Sequence, residues 1–330
     1  MQYPLSHSPY GKYSRASNAT YPSYGSWLNQ LAVALALICV MSLLLTGKSN
    51  AATHIIEMTT KEIQDDGFGS KLMAYQMKSH TIDGTPVTDR YSTEATIPGP
   101  TIVLTEGDTV ELTLFNEITN DHSVNGISKQ VSVHVHGVHY ELVSDGTLKV
   151  INKIHDEGAG HGPEEYHATY VYKWTIAPGT AGTWPYHDHN FESHNGSENK
   201  GLFGAVIVNP AGSPGFDKEY VLYLGDDAFW GMEIDGTSKQ QSKHGVNPSL
   251  EAKKNSDVRF HLIAMGTDIH TFMLNGYQWF DPGTNILINK AAIGPLEKHV
   301  FTVKAKHDSH YVDKDFSNQL MGMKGTFNVH

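Results

Sequence analysis

Four histidines in two short strings carry the most legible chemistry of this chain. Val131–Tyr140 reads VSVHVHGVHY and Trp184–His189 reads WPYHDH, so His134 with His136 and His187 with His189 form two H-x-H pairs. On a strand, residues i and i+2 project from the same face, roughly 6.6–7 Å apart. Two such strands side by side aim four imidazoles into one small volume. Neutral imidazole is the commonest metal ligand and suits copper, zinc, iron and nickel. One H-x-H pair is unremarkable in a chain with 20 histidines, but two, each set among Val, Trp and Tyr, predict a metal site. His139 and His194 are further candidate ligands or acid–base groups, with a solvated loop histidine as the competing reading for each. Asp188, between two ligands, should point to the other face of its strand and serve structure.

The elements that must position these histidines read as β-strands. From Thr53 the chain runs through THIIEM and KLMAYQM to a turn at Asp83-Gly84-Thr85-Pro86. IPGPTIVLTEGDTVELTLFNEI, from Ile97 to Ile118, has a Pro-Gly-Pro corner, alternating apolar residues, a Glu-Gly-Asp turn and a second alternating run. Val131–Tyr140 is the next predicted strand, residues 145–168 a loop, and TYVYKWTIAP another alternating strand leading into WPYHDH. GLFGAVIVNP reads as a strand buried on both faces, and NPAGSPG, from Asn209 to Gly215, as a linker. The second half repeats this order more weakly. SLEAKKNSDVRFHLIAMG echoes TIVLTEGDTVELTLFNE, IHTFMLNGYQW stands where VSVHVHGVHYE stood, and MGMKGTFNV matches GLFGAVIV. The pattern predicts an all-β protein built as two copies of one β-sandwich.

Bulk composition narrows the function. A net charge of −11 without basic clusters argues against nucleic acid or an anionic membrane surface as partner. The single cysteine, Cys39, lies inside the apolar run Leu31–Leu45 (LAVALALICVMSLLL). The folded part therefore has no disulfide, no cysteine-ligated zinc, no cysteine nucleophile and no blue copper centre, which requires a thiolate. The apolar run follows a polar leader with Lys12 and Arg15 and precedes Ser49-Asn50-Ala51-Ala52. It fits a secretory signal cleaved near Ala51, or an uncleaved membrane anchor. Either places the histidines in an extracytoplasmic space, secreted or on the outer face of a membrane. The expected organisation is residues 1–52 as signal or anchor, 53–210 as the first domain and 211–330 as the second.

At these residues the chain resembles the two-domain multicopper oxidases, the small laccases built from two cupredoxin domains. The resemblance rests on IPGPTI, EGD, HVHG followed by Tyr140 and Ser144-Asp145-Gly146, AGTW, YHDH and GLFGAVIV. It implies two cupredoxin-like Greek-key β-sandwiches and copper. It makes His134, His136, His187 and His189 half the ligands of a trinuclear cluster, with Tyr140 and Asp145 near the cluster in proton and electron supply. It also implies a homotrimer, in which the second domain of a neighbouring subunit supplies the other four histidines. In the second domain the family's H-x-x-H-x-H-G-H string stands as His270-Thr271-Phe272-Met273-Leu274-Asn275-Gly276-Tyr277, keeping only the first histidine. The H-C-H segment aligns with Val312-Asp313-Lys314, the partner histidine falls near Asn318, and Met323 keeps the methionine position. A second register, through His307 and His310, supplies no thiol either. His270 with Met323 is a remnant copper site or a buried histidine packed by methionine.

Such a chain is not a competent laccase by itself. Three readings stay open: a copper oxidoreductase whose four-histidine site meets O2 or another small molecule directly, a non-catalytic copper protein or inactive partner in a mixed trimer with a ligand-complete oxidase, and a zinc hydrolase or lyase using the same cluster.

Overall fold

The computed structural model describes residues 51–63, 72–118, 130–147, 169–189, 200–243 and 245–330. The polar leader, the apolar run with Cys39, most of the 145–168 loop and His194 lie outside those residues. Among the described residues no helix is long and apolar enough to cross a membrane.

The first half contributes β1 (Thr53–Ile63), β2 (Leu72–Ile82), β3 (Thr85–Pro86), β4 (Thr101–Thr105) and β5 (Thr109–Asn116). It continues with β6 (His134–Val135), β7 (His139–Tyr140), β8 (Thr169–Thr175), β9 (Gly182–His187) and β10 (Phe203–Asn209). These strands make one sheet in the order β3-β2-β1-β5-β8-β7 and a second in the order β4-β10-β9-β6. β5 shows why they close on each other: Val110, Leu112 and Leu114 alternate inward and meet Ile102, Val135, Tyr186 and Val206 of the facing sheet in one core.

The second half contributes β11 (Lys218–Leu224), β12 (Phe229–Asp235), β13 (Gln240–Lys243), β14 (Leu250–Ala252), β15 (Asp257–Ala264) and β16 (His270–Leu274). Then come β17 (Trp279–Phe280), β18 (Leu287–Ile288), β19 (Lys290–Ile293), β20 (Lys298–Lys304), β21 (Ser309–Asp313) and β22 (Lys324–Val329). Its sheets run β13-β12-β11-β15-β20 and β14-β22-β21-β16-β19, with β17 and β18 as a separate ribbon. The repeat expected from sequence is a repeat of topology. β1 pairs antiparallel with β2 and parallel with β5, as β11 does with β12 and β15. β4 pairs parallel with β10, as β14 does with β22.

β10 is buried on both faces for a specific reason. Val206 and Val208 enter the first core, while Phe203, Ala205 and Ile207 enter a third cluster with Val221, Tyr223, Met232, Ile234 and Ile263 of the second sandwich. Polar pins flank that apolar joint. Gln240 Oε1 accepts from Thr101 N at 2.8 Å, Ser242 Oγ donates to Ile97 O at 2.8 Å, and Thr183 Oγ meets His261 Nδ1 at 2.6 Å.

A buried chain of four polar side chains ties β1 and β2 to the turn before β5. Tyr91 OH donates to His80 Nδ1 at 2.8 Å, His80 Nε2 lies 2.9 Å from His54 Nδ1, and His54 Nε2 lies 3.1 Å from Asp108 Oδ2. One tautomer set satisfies all three contacts, with each histidine donating from Nε2. Burial and the neighbouring His54 push the pKa of His80 down to about 3, which keeps it neutral and able to accept from Tyr91. His54→Ala leaves two buried groups without this partner and is expected to destabilise the fold by about 2–3 kcal/mol, read as a shift in urea midpoint at unchanged slope.

Candidate metal centre

The two histidine strings meet as neighbouring strands. β6 pairs antiparallel with β9, and His134 stands directly opposite His187. The first string is not the continuous strand expected from its alternation: pairing with β9 covers only His134 and Val135, the chain bends over His136–Val138, and His139 and Tyr140 pair with β8 instead. The cause is Gly137, at φ +70°, where a Cβ would lie 1.9 Å from the Trp184 ring. Trp184 of β9 covers the backbone of the β6 string at the point where it turns, and His136 N still bonds Pro185 O at 3.0 Å.

Ligating nitrogens of His134, His136 and His187 lie within 4.8 Å of one another, the group of at least three such side chains found among the described residues. His136 Nε2 and His187 Nε2 are 3.1 Å apart with their rings stacked. His189 adjoins them, its ring 5.0 Å from that of His134 and 5.6 Å from that of His187. His139 does not join the group. It sits exposed on β7, which belongs to the other sheet and pairs with Thr175.

Backbone carbonyls set the tautomers. His187 Nδ1 donates to Asp188 O at 2.9 Å, and His134 Nδ1 donates to Asp145 O. A proton held on Nδ1 leaves the Nε2 lone pair for a metal. Burial, then the charges of neighbouring histidines, lower the pKa of His134, although its bond to Asp145 opposes them. The same causes, with a smaller contribution from Lys298, push His136 down to about 3. Near neutral pH His136 is therefore uncharged, the form of imidazole that binds metal. Imidazole–metal bonds of about 2.0–2.1 Å at right angles place two nitrogens near 3 Å apart, so the 3.1 Å separation of His136 and His187 fits one ion.

Asp145 serves the site through its backbone. Its carboxylate accepts from Thr147 N at 2.8 Å and Thr147 Oγ at 2.6 Å, closing a turn that presents its carbonyl to His134. Tyr140 stands edge-on to His134 with ring centres 6.4 Å apart, and burial together with the Asp145 charge raises its pKa. Asp188 turns away from the ligands: Oδ1 accepts from Ser132 N at 2.7 Å and Ser132 Oγ at 3.3 Å, while that hydroxyl accepts from His189 N at 2.9 Å. Sequence reading missed Ser132 and Trp184. Alternation assigns Ser132 to the face of His134 and His136, so its spacing gave no sign that it would bond Asp188.

In the second sandwich His270, read from sequence as a remnant ligand or a buried packed histidine, meets a carboxylate. Asp313 is opposite Phe272 in the β16–β21 pair, and its Oδ2 accepts from His270 Nδ1 and Asn318 Nδ2, each at 2.7 Å. Its Oδ1 accepts from Thr271 N at 2.9 Å and Asp315 N at 3.0 Å. His270, Asp313 and Met323 are fully buried. Among the described residues no third ligating side chain of the His/Cys/Asp/Glu type joins His270 and Asp313; a hydrogen-bonded carboxylate holds the place that alignment gives to the thiolate. His307 and His310, on the alternative register, are both exposed. Tyr277 is turned inward, its hydroxyl bonded to His307 O at 2.7 Å, whereas Met273 is half-buried and Asn275 exposed.

Comparison with known proteins agrees with this geometry. Residues 74–213 match the family model described as multicopper oxidase. The chain is 30% identical over 218 residues to a probable nitrite reductase-hydroxylamine oxidoreductase fusion protein of Kuenenia stuttgartiensis, covering 62% of this chain and 24% of that protein. It thus spans about a quarter of that relative's length. A solved multicopper oxidase superposes with TM-score 0.55 at 20% identity, covering 84% of this chain and 88% of the other. The copper nitrite reductase of Nitrosomonas europaea superposes equally, at TM-score 0.55 and 17% identity over 84% and 93% of the two chains. These likenesses carry the fold, two cupredoxin-like β-sandwiches. The family match adds that residues 74–213 are similar to a multicopper oxidase domain.

Proposed function

We propose that the chain is an extracytoplasmic copper oxidoreductase acting at the site of His134, His136, His187 and His189, without type 1 copper. The domain division at residues 210/211, the N-terminal signal or anchor and a trimeric assembly belong to the same reading. The observation that supports it best is the convergence of Nε2 atoms whose tautomers are fixed by Asp145 O and Asp188 O. Copper held there would supply one-electron redox chemistry and a coordination position open to a small oxidant. The protein's share of the work follows from its own groups. Burial keeps the His136 imidazole neutral, the Ser132–Asp188 bonds hold the two histidine strings in register, and Tyr140 keeps its phenolic proton beside the site. The cysteine-free fold takes its electrons from a separate donor rather than through a thiolate-bound copper.

The test is reduction of the copper-loaded chain with ascorbate, followed by reoxidation with O2 or with nitrite, the latter suggested by the names of the relative and the structural neighbour. The expected result is turnover with one of them, lost in His136→Ala, and no intense blue thiolate-to-copper band. Bound copper without turnover favours the non-catalytic protein or inactive partner, and zinc kept in preference to copper favours the hydrolase.

A further inference from the structure

The second sandwich, stripped of the ligands its alignment calls for, contributes a different group to the metal centre. Lys298, the first residue of β20, places its Nζ 3.4 Å from the centre of the Trp184 ring. That is a close cation–π contact. Trp184 is the residue whose ring lies on Gly137, next to His136, and His136 N bonds the following residue, Pro185. The lysine is thus held by the tryptophan that shapes the bend carrying His136.

The nearby carboxylates are turned elsewhere. Glu297 Oε2 accepts from Gly294 N at 2.7 Å, Asp145 closes its turn on Thr147, and Asp188 accepts from Ser132. Among the described residues no carboxylate lies within ion-pair distance of Lys298. Lys298 is open to solvent and makes no ion pair among the described residues, although the charge of the adjacent Glu297 acts on it.

We propose that Lys298 makes the four-histidine centre selective for small anions over neutral ligands of similar size; this rests on the copper reading above. The ammonium attracts the anion towards the metal and stabilises it once bound, and Trp184 keeps that charge in place. Because the lysine is solvent-exposed, the effect is screened by salt.

The test uses the copper-loaded full chain as wild type, Lys298→Met and Lys298→Arg. Azide is titrated as the anionic probe and imidazole as the neutral one, each followed by copper absorption, at low and at high salt. The expected result is azide binding about tenfold weaker in Lys298→Met, near wild type in Lys298→Arg, and imidazole binding unchanged within about twofold. Wild-type azide affinity should fall with salt and that of Lys298→Met much less. Equal azide affinity in wild type and Lys298→Met, at equal copper content, overturns the role of Lys298 alone. Equal weakening of both probes reduces the lysine to a structural part and also overturns it. A wild type that binds no copper overturns this inference and the copper reading together, which the copper content itself reports.

Discussion

Asp313→Ala is expected to destabilise the protein by about 3–5 kcal/mol, the usual cost of removing one partner from a buried, charge-assisted cluster. Asp313 accepts four hydrogen bonds, from His270, Asn318, Thr271 N and Asp315 N, in a fully buried setting. Without it the His270 Nδ1 loses its partner, while the Nε2 of the same ring is already buried without one. Asp313→Asn is expected to lose less, about 1.5–3 kcal/mol, because an amide can accept on one side only. The same site has a pH signature. Burial pushes the Asp313 carboxyl up, but its hydrogen bonds outweigh this and hold it well below the usual carboxylate range. A carboxyl depressed in the folded state stabilises the fold above its unfolded pKa, about 3.9, and that stability drains away as pH falls below it. Chemical denaturation between pH 7 and pH 2 should therefore show an acid loss in wild type that is smaller in Asp313→Asn. Parallel loss in both would remove Asp313 from the account.

Gly146→Ala is expected to damage both fold and metal binding. Gly146 has φ +80°, and a Cβ there would lie 2.1 Å from Val133 O, a backbone atom that cannot swing aside. Left-handed strain of about 1–2 kcal/mol adds to overpacking of about 1–3 kcal/mol. Relief of the clash must move either the β6 string or the Asp145 carbonyl that fixes His134. Gly84→Ala is the control. Its φ of +79° carries the same strain, but nothing lies within 4 Å of the added methyl. The expected outcome is a modest stability loss with normal copper binding for Gly84→Ala, and a larger loss with weakened binding for Gly146→Ala. Equal losses in the two variants would mean that backbone strain alone matters at Gly146.

Legibility in the sequence followed the range of the interaction. The period-two runs of β5 and β8 and the fully apolar β10 were readable because local alternation reports which faces are buried. The two H-x-H strings were readable because ligand spacing is local too. The shortness of β6 was not, since it depends on Trp184 lying over Gly137, a contact across 47 positions of chain. Lys298 was hidden for the same reason, coming from the other sandwich. The buried Tyr91–His80–His54–Asp108 chain leaves no local pattern, because its members come from four separate segments. Asp313 was placed by alignment in the thiolate position, yet only the structure shows it bonded to His270 and Asn318 rather than merely replacing a ligand. His139, open on sequence between a ligand and a solvated histidine, lies exposed on the other sheet.

The most direct measurement for the central claim is metal content per chain after equilibration of residues 52–330 with copper and zinc together. Wild type and His187→Ala should be compared, with circular dichroism confirming that both are folded. The account predicts at least one copper per wild-type chain, preferred over zinc and lost in His187→Ala, whose imidazole lies 3.1 Å from that of His136. A folded wild type that binds neither metal, or copper retained equally by His187→Ala, would contradict it.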